Sequence, residues 1–166
     1  MKIVRTESGF TLLEGMIATV ILSVGVIAMT AMQGIAITRN VDSTELTLAT
    51  NLASEMLERI QYNRRNVTAY ANMNTAAPCV LPPIQTMAQG DCVQWQAMMT
   101  NQGASGISQA SVLTGVRGVV TVTPVVTIPP LNQSRVNVVI TWTGRNMGTT
   151  AAAPRRVMLD TTIAPE

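Results

Sequence analysis

Phe10-Thr11-Leu12-Leu13-Glu14-Gly15-Met16-Ile17-Ala18-Thr19-Val20-Ile21-Leu22-Ser23-Val24-Gly25-Val26-Ile27-Ala28-Met29-Thr30-Ala31-Met32-Gln33-Gly34-Ile35-Ala36-Ile37 is the stretch that decides the fold. From Gly15 to Ile37 it carries no charge. As a helix rising about 1.5 Å per residue, such a run crosses a hydrocarbon core about 30 Å thick. The exception is Glu14, at its start. A carboxylate costs roughly 2.5–3.5 kcal/mol at the middle of a bilayer and less near an edge, so one kept here reads first as functional and needs a partner. The plainer alternative is a carboxylate at the membrane interface, favoured by the positive end of a helix dipole.

Upstream, Lys2 and Arg5 against Glu7 form a short basic leader, which keeps the N-terminus cytoplasmic under the positive-inside rule. A secretory signal would have a shorter apolar region with small residues after it. Here the small residue, Gly9, precedes the run. Gly15, Gly25 and Gly34 weaken a helix by roughly 1 kcal/mol each relative to Ala. They either permit close helix packing or bending in an assembly, or are tolerated small residues of a membrane helix.

Downstream, the helical pattern continues. Val41, Leu48, Leu52, Met56 and Ile60 recur at helical spacing, and Leu46, Ala49, Ala53 and Leu57 widen the stripe. Asp42, Thr44, Glu45, Asn51, Glu58 and Arg59 are expected outside it. Glu55 and Arg59 form an i,i+4 pair. The expected helix runs from about Phe10 to about Asn63, on the order of 80 Å. Its first half is apolar all round and needs lipid or other subunits; its second half needs a domain on one face. Asn63-Arg64-Arg65-Asn66 ends it, the arginines suiting the negative end of the dipole or, alternatively, binding a phosphate or a partner.

The remaining hundred or so residues suffice for one modest head. Pro78, Pro82, Pro83 and Gly90 break residues 66–91 into loop or short helix. Cys92–Met99 reads as a strand or a short helix, with Trp95 as a core or hairpin anchor, and Asn101–Gly115 as a flexible loop. Strands are expected over Val116–Thr123, Arg135–Thr143 and Arg155–Ile163, with Val125–Ile128 a possible continuation of the first. In the second, Val136, Val138, Ile140 and Trp142 share a face, as do Val157, Leu159 and Ile163 in the third. The fold class is α+β: a long N-terminal helix packed against a mostly antiparallel C-terminal sheet.

Composition excludes several chemistries. The net charge of +2 comes from scattered residues, and Asp91 and Arg117 are the only charges between Asn66 and Asn132, so no nucleic-acid surface is expected. The absence of His removes Ser-His-Asp and Cys-His catalysis and His-ligated metals. Two cysteines are too few for a four-ligand zinc site, and no phosphate-binding loop is present. No metal, cofactor or enzymatic activity is expected. Behind an export segment, Cys79 and Cys92 read as one disulfide worth about 3 kcal/mol in the chain-entropy model; the alternative is two separate thiols.

Ser8-Gly9-Phe10-Thr11-Leu12-Leu13-Glu14 resembles the prepilin signature of the type IV pilins: a basic leader ending in Gly, an aromatic or apolar residue, Thr/Ser-Leu-Leu/Ile-Glu, then about 20 apolar residues. The resemblance implies a pilin-like fold, cleavage by a prepilin peptidase between Gly9 and Phe10, and N-methylation of Phe10. The domains are then a cleaved leader (1–9), a transmembrane and filament-core half-helix (10–37), an amphipathic half-helix (38–65) and a globular head (66–166). The new amine of Phe10 is cationic at neutral pH and lies one turn from Glu14. In a filament it can pair with Glu14 of a neighbouring subunit, offsetting the desolvation of both and fixing one axial register.

Leu52–Arg64, Tyr70, Cys92-Val-Gln-Trp95 and Val138-Val-Ile-Thr-Trp142-Thr-Gly-Arg145 are similar to the PilV type of minor pilin. That implies a subunit helping to initiate or prime pilus assembly, at or near the filament tip. Its partners would be other minor pilins, the major pilin, the peptidase, the inner-membrane assembly platform and, before assembly, membrane lipid. Its location would be a single inner-membrane pass with a periplasmic head, then the pilus at the cell surface. Minor pseudopilins of type II secretion share the leader, the Glu and a Val-x-Val-x-Trp-like strand, and are the alternative.

Overall fold

The computed structural model describes residues 11–79, 86–100, 112–129, 131–144 and 153–164. Gly9 and Phe10, Pro82 and Pro83, most of the expected loop after Asn101 and most of the turn from 145 to 152 lie outside them. Helix α1 spans Leu12–Tyr62, 51 residues. A 3-10 helix follows at Arg64–Tyr70, then strand β1 (Met73–Asn74), helix α2 (Met87–Thr100) and strands β2 (Thr114–Pro124), β3 (Ser134–Thr143) and β4 (Pro154–Ile163). The chain divides into two compact units, Met1–Asn40 and Val41–Glu166, with α1 running through both.

In the first unit α1 is apolar on every side and its side chains stay exposed, from Leu12 through Met16, Ile21 and Ile27 to Ile37. The helix is long and apolar enough to cross a membrane, with a most apolar window of mean hydropathy 2.2 and none of that window buried. Its hydroxyls do not interrupt the apolar surface, because they bond within the helix. Thr19 Oγ1 donates to the Met16 carbonyl at 2.8 Å, Ser23 Oγ to Thr19 at 2.7 Å and Thr30 Oγ1 to Val26 at 3.0 Å. Such back-bonding lets a hydroxyl sit where no water can satisfy it.

In the second unit the four strands form one antiparallel sheet in the order β1-β2-β3-β4. β3 is central and shows the expected alternation, with Val136, Val138, Ile140 and Trp142 buried. β4 presents Val157, Leu159 and Ile163 on its inner side. These face Ala49, Leu52, Ala53, Met56 and Ile60 of α1 in one core, joined by Val67, Tyr70, Trp95, Met99 and Val120. Burying a Leu- or Ile-sized side chain is worth about 1.5–3 kcal/mol, so this face explains why the second half of α1 stays helical despite its polar opposite side. The result is the α+β, pilin-like layout of long helix on antiparallel sheet.

The structure differs from the sequence reading at several points. Glu45, expected outside the stripe, is fully buried, whereas Leu46, expected within it, is half exposed. Glu45 takes the core side because Trp142 supplies a donor there; Leu46 lies 100° further round the helix. Cys92–Met99 is helical, in the middle of α2. Its start is fixed by a reciprocal capping box: Thr86 Oγ1 accepts from the Gln89 amide at 3.4 Å, and Gln89 Oε1 accepts from the Thr86 amide at 3.0 Å. β2 stops at Pro124, and Val125–Thr127 does not extend it. Pro124 falls at the end of the ladder, where its missing donor is not needed.

Trp95 is a core residue, and its indole lies against the backbone of β2. A Cβ on Gly118 would sit 2.6 Å from Trp95 Cζ3 and 2.7 Å from Cζ2. Only glycine leaves room there. Trp95 Nε1 donates to the Leu52 carbonyl at 3.0 Å, tying α2 to α1 across the core.

Candidate functional site

The N-terminal turn of α1 is the candidate site. Thr11 caps the helix: its Oγ1 accepts from the Glu14 amide at 3.3 Å, and its carbonyl accepts from the amides of Glu14 at 3.0 Å and Gly15 at 3.2 Å. Thr11-Leu12-Leu13-Glu14 has the Thr-x-x-Glu spacing of a capping box, a signal present in the sequence but missed in reading it for membrane insertion alone. Glu14 is thereby placed in the first turn, at the positive end of the helix dipole. It is exposed and surrounded by the exposed side chains of Leu12, Leu13, Met16 and Ile17. Charge at the very start, capped backbone beneath it and an apolar shaft beyond make this end suited to receiving a cation from a neighbour. Gly9 and Phe10, the other two residues expected here, lie outside the described residues.

The second unit carries two polar clusters that hold the head together. In the first, Asp91 links α1 to the 3-10 helix: its Oδ1 accepts from Arg59 at 3.0 Å and its Oδ2 from the Tyr70 hydroxyl at 2.6 Å. Arg59 also donates to Glu55 at 2.8 Å and to Gln94 at 2.6 Å, so the expected i,i+4 pair is one arm of a larger network. Burial works against the charge on Arg59, but Glu55 and Asp91 outweigh it and hold its pKa above the ordinary value. Burial also pushes the Tyr70 hydroxyl well above the ordinary range, reinforced by its bond to Asp91 and opposed by the one from Asn63.

In the second cluster Trp142 Nε1 donates to Glu45 Oε2 at 3.0 Å, and Arg155 stands 3.7 Å from the same oxygen. Arg155 is also 2.9 Å from Asp42 Oδ1, as an ion pair rather than an in-line hydrogen bond. Asp42 raises the pKa of Arg155 against a smaller opposing effect of burial, and Glu45 adds to it. Both networks fasten elements of the fold and leave no cleft between an acid and a base.

Cys79 and Cys92 form a disulfide with a Cα–Cα distance of 5.8 Å. It joins α2 to the segment after β1, which Gln96 also secures: its Nε2 donates to the carbonyls of Thr75 and Ala77, and its Oε1 accepts from the Cys79 amide, all at 2.9 Å. Among the described residues no group of three or more Cys, Asp and Glu side chains is placed to hold a metal ion. Arg64 and Arg65, at the end of α1, are exposed and line an open hollow with Gln61, Tyr62, Asn63 and Asn66.

Residues 4–30 match the family model described as the prokaryotic N-terminal methylation motif. No curated protein and no solved structure matches the chain. The match covers the expected cleavage position, the capped turn with Glu14 and most of the exposed apolar half of α1. The chain therefore carries a type IV prepilin-like signal, which, with the apolar helix behind it, supports a type IV pilin-like protein anchored in a membrane.

Proposed function

We propose that this chain is a minor pilin of a type IV pilus, of the PilV type, that helps initiate or prime assembly at the inner membrane and resides at or near the filament tip. The observation that carries the proposal is the methylation motif at residues 4–30 running without a break into a helix apolar on every side. Hydrolysis of the Gly9–Phe10 peptide bond by a prepilin peptidase frees the Phe10 amine, which is then methylated. The amine stays cationic at neutral pH. Glu14 of a neighbouring subunit is its partner, and pairing removes two charges from an apolar phase at once. A subunit slipped along the filament would leave both unpaired, so the pair selects the register. The apolar half of α1 is then a lipid anchor before assembly and filament core afterwards, and the role is structural rather than catalytic.

Partners on this reading are other minor pilins, the major pilin, the peptidase and the inner-membrane assembly platform. A second reading, a minor pseudopilin of type II secretion, is favoured by one feature: the central strand β3, with its Val136-x-Val138-x-Ile140-x-Trp142 pattern. A deletion strain separates the two. The pilus reading expects loss of sheared surface filaments with exoprotein export intact. Lost export with normal piliation would replace it with the pseudopilin reading.

A further inference from the structure

The loop between β2 and β3 is an apolar knob. Val126 is 92 % exposed, Ile128 99 % and Leu131 53 %. No charge occurs between Arg117 and Arg135. The loop is nevertheless held in shape: the Val125 amide donates to the Gln133 carbonyl at 2.8 Å, continuing the hairpin, and the Leu131 amide donates to Thr127 Oγ1 at 3.1 Å. Large aliphatic side chains held out on a pinned loop lose little conformational freedom on docking, whereas leaving them in water gives up the burial each could contribute.

The same unit contains a hollow of matching chemistry. Ala69, Ala71, Asn72, Met73, Cys79, Ala88, Gln89 and Cys92 enclose about 220 Å³ beside the disulfide, with no ionisable side chain among the wall residues. The disulfide and the capping box of α2 fix its walls. It is large enough for a branched aliphatic side chain, and Ile128, being almost wholly exposed, does not occupy it in its own chain. We infer that Ile128 of one copy docks into this hollow on a second copy of the chain. Knob and hollow are different patches, so the contact is heterologous, the kind that continues from copy to copy rather than closing on a two-fold axis. It joins heads, depends on neither leader cleavage nor Glu14, and so goes beyond the reading above.

The test uses the full chain in detergent, with a photoreactive benzoyl-phenylalanine at position 128. The expected product is a covalent dimer whose cross-linked peptide lies within residues 69–92. In a pull-down of the otherwise unmodified chain, Ile128→Lys lowers dimer recovery about tenfold or more, the order expected for one aliphatic side chain lost from a pocket. Because position 128 is exposed, the variant keeps the wild-type unfolding temperature. Asn72→Asp tolerates the left-handed backbone at that position (φ 61°), and combined with Ile128→Lys it restores recovery by charge pairing. Adducts mapping within one copy, to residues 80–85 or elsewhere, would overturn the inference. So would adducts to lipid or to a different protein only, or an Ile128→Lys chain that dimerises as before.

Discussion

A carboxylate without solvent needs a partner for each charge it keeps, and Glu45 has Trp142 and Arg155. Trp142→Phe removes one donor and little volume. It should destabilise the head by about 1–3 kcal/mol, the range for a buried group left short of a hydrogen bond, read from urea unfolding with Trp95 as the remaining fluorophore. Tyr70 makes a prediction in pH. Its folded-state pKa is raised above the ordinary value of about 10, so its stabilising contribution is complete below about pH 10 and is lost as pH climbs through the folded value. Urea midpoints should therefore fall on the alkaline side of pH 10, and Tyr70→Phe should flatten that fall while lowering the midpoint at neutral pH. At Glu14 the expectation concerns assembly. Glu14→Val should leave the protein membrane-bound but absent from sheared filaments; normal incorporation would remove the role given to that carboxylate. Glu14 was legible because a single charge in an apolar run stands out. Glu45 was not, because its donor lies 97 residues away and a charge among Asp42, Thr44 and Ser43 looks like surface.

At the scale of elements, α1 and β3 could be read directly, since each keeps one period over many residues with few exceptions. Helix α2 could not. Its buried side chains, Ala88, Trp95 and Met99, are sparse, and Gly90 and Asp91 look like a loop until Asp91 is seen holding Arg59 and Tyr70. The Thr86-x-x-Gln89 spacing was the available signal for its start. Two predictions belong here. Gly118→Ala forces a methyl into the Trp95 ring and should cost about 1–3 kcal/mol, the usual penalty for overpacking, seen as a lower unfolding temperature. Reducing the disulfide, which closes a loop with a sequence separation of 13, should remove about 3 kcal/mol in the chain-entropy model, seen as a lower urea midpoint in the presence of reductant.

For the whole molecule, the decisive contrast is between two halves of one helix. Up to Ile37 it keeps large apolar side chains exposed on all sides; from Glu45 onward it buries one face under a sheet. A head is explained by its own core, but an uncovered apolar shaft requires lipid or other subunits. That division was readable from composition alone, because charge vanishes from Gly15 to Ile37 and then returns with helical spacing. What the shaft is for rests on the residues just before it. The most direct test is the mass of the N-terminal peptide from protein extracted from its native membrane. A peptide beginning at methylated Phe10 is the predicted result; one that still carries Met1 to Gly9 in the mature protein would contradict the account.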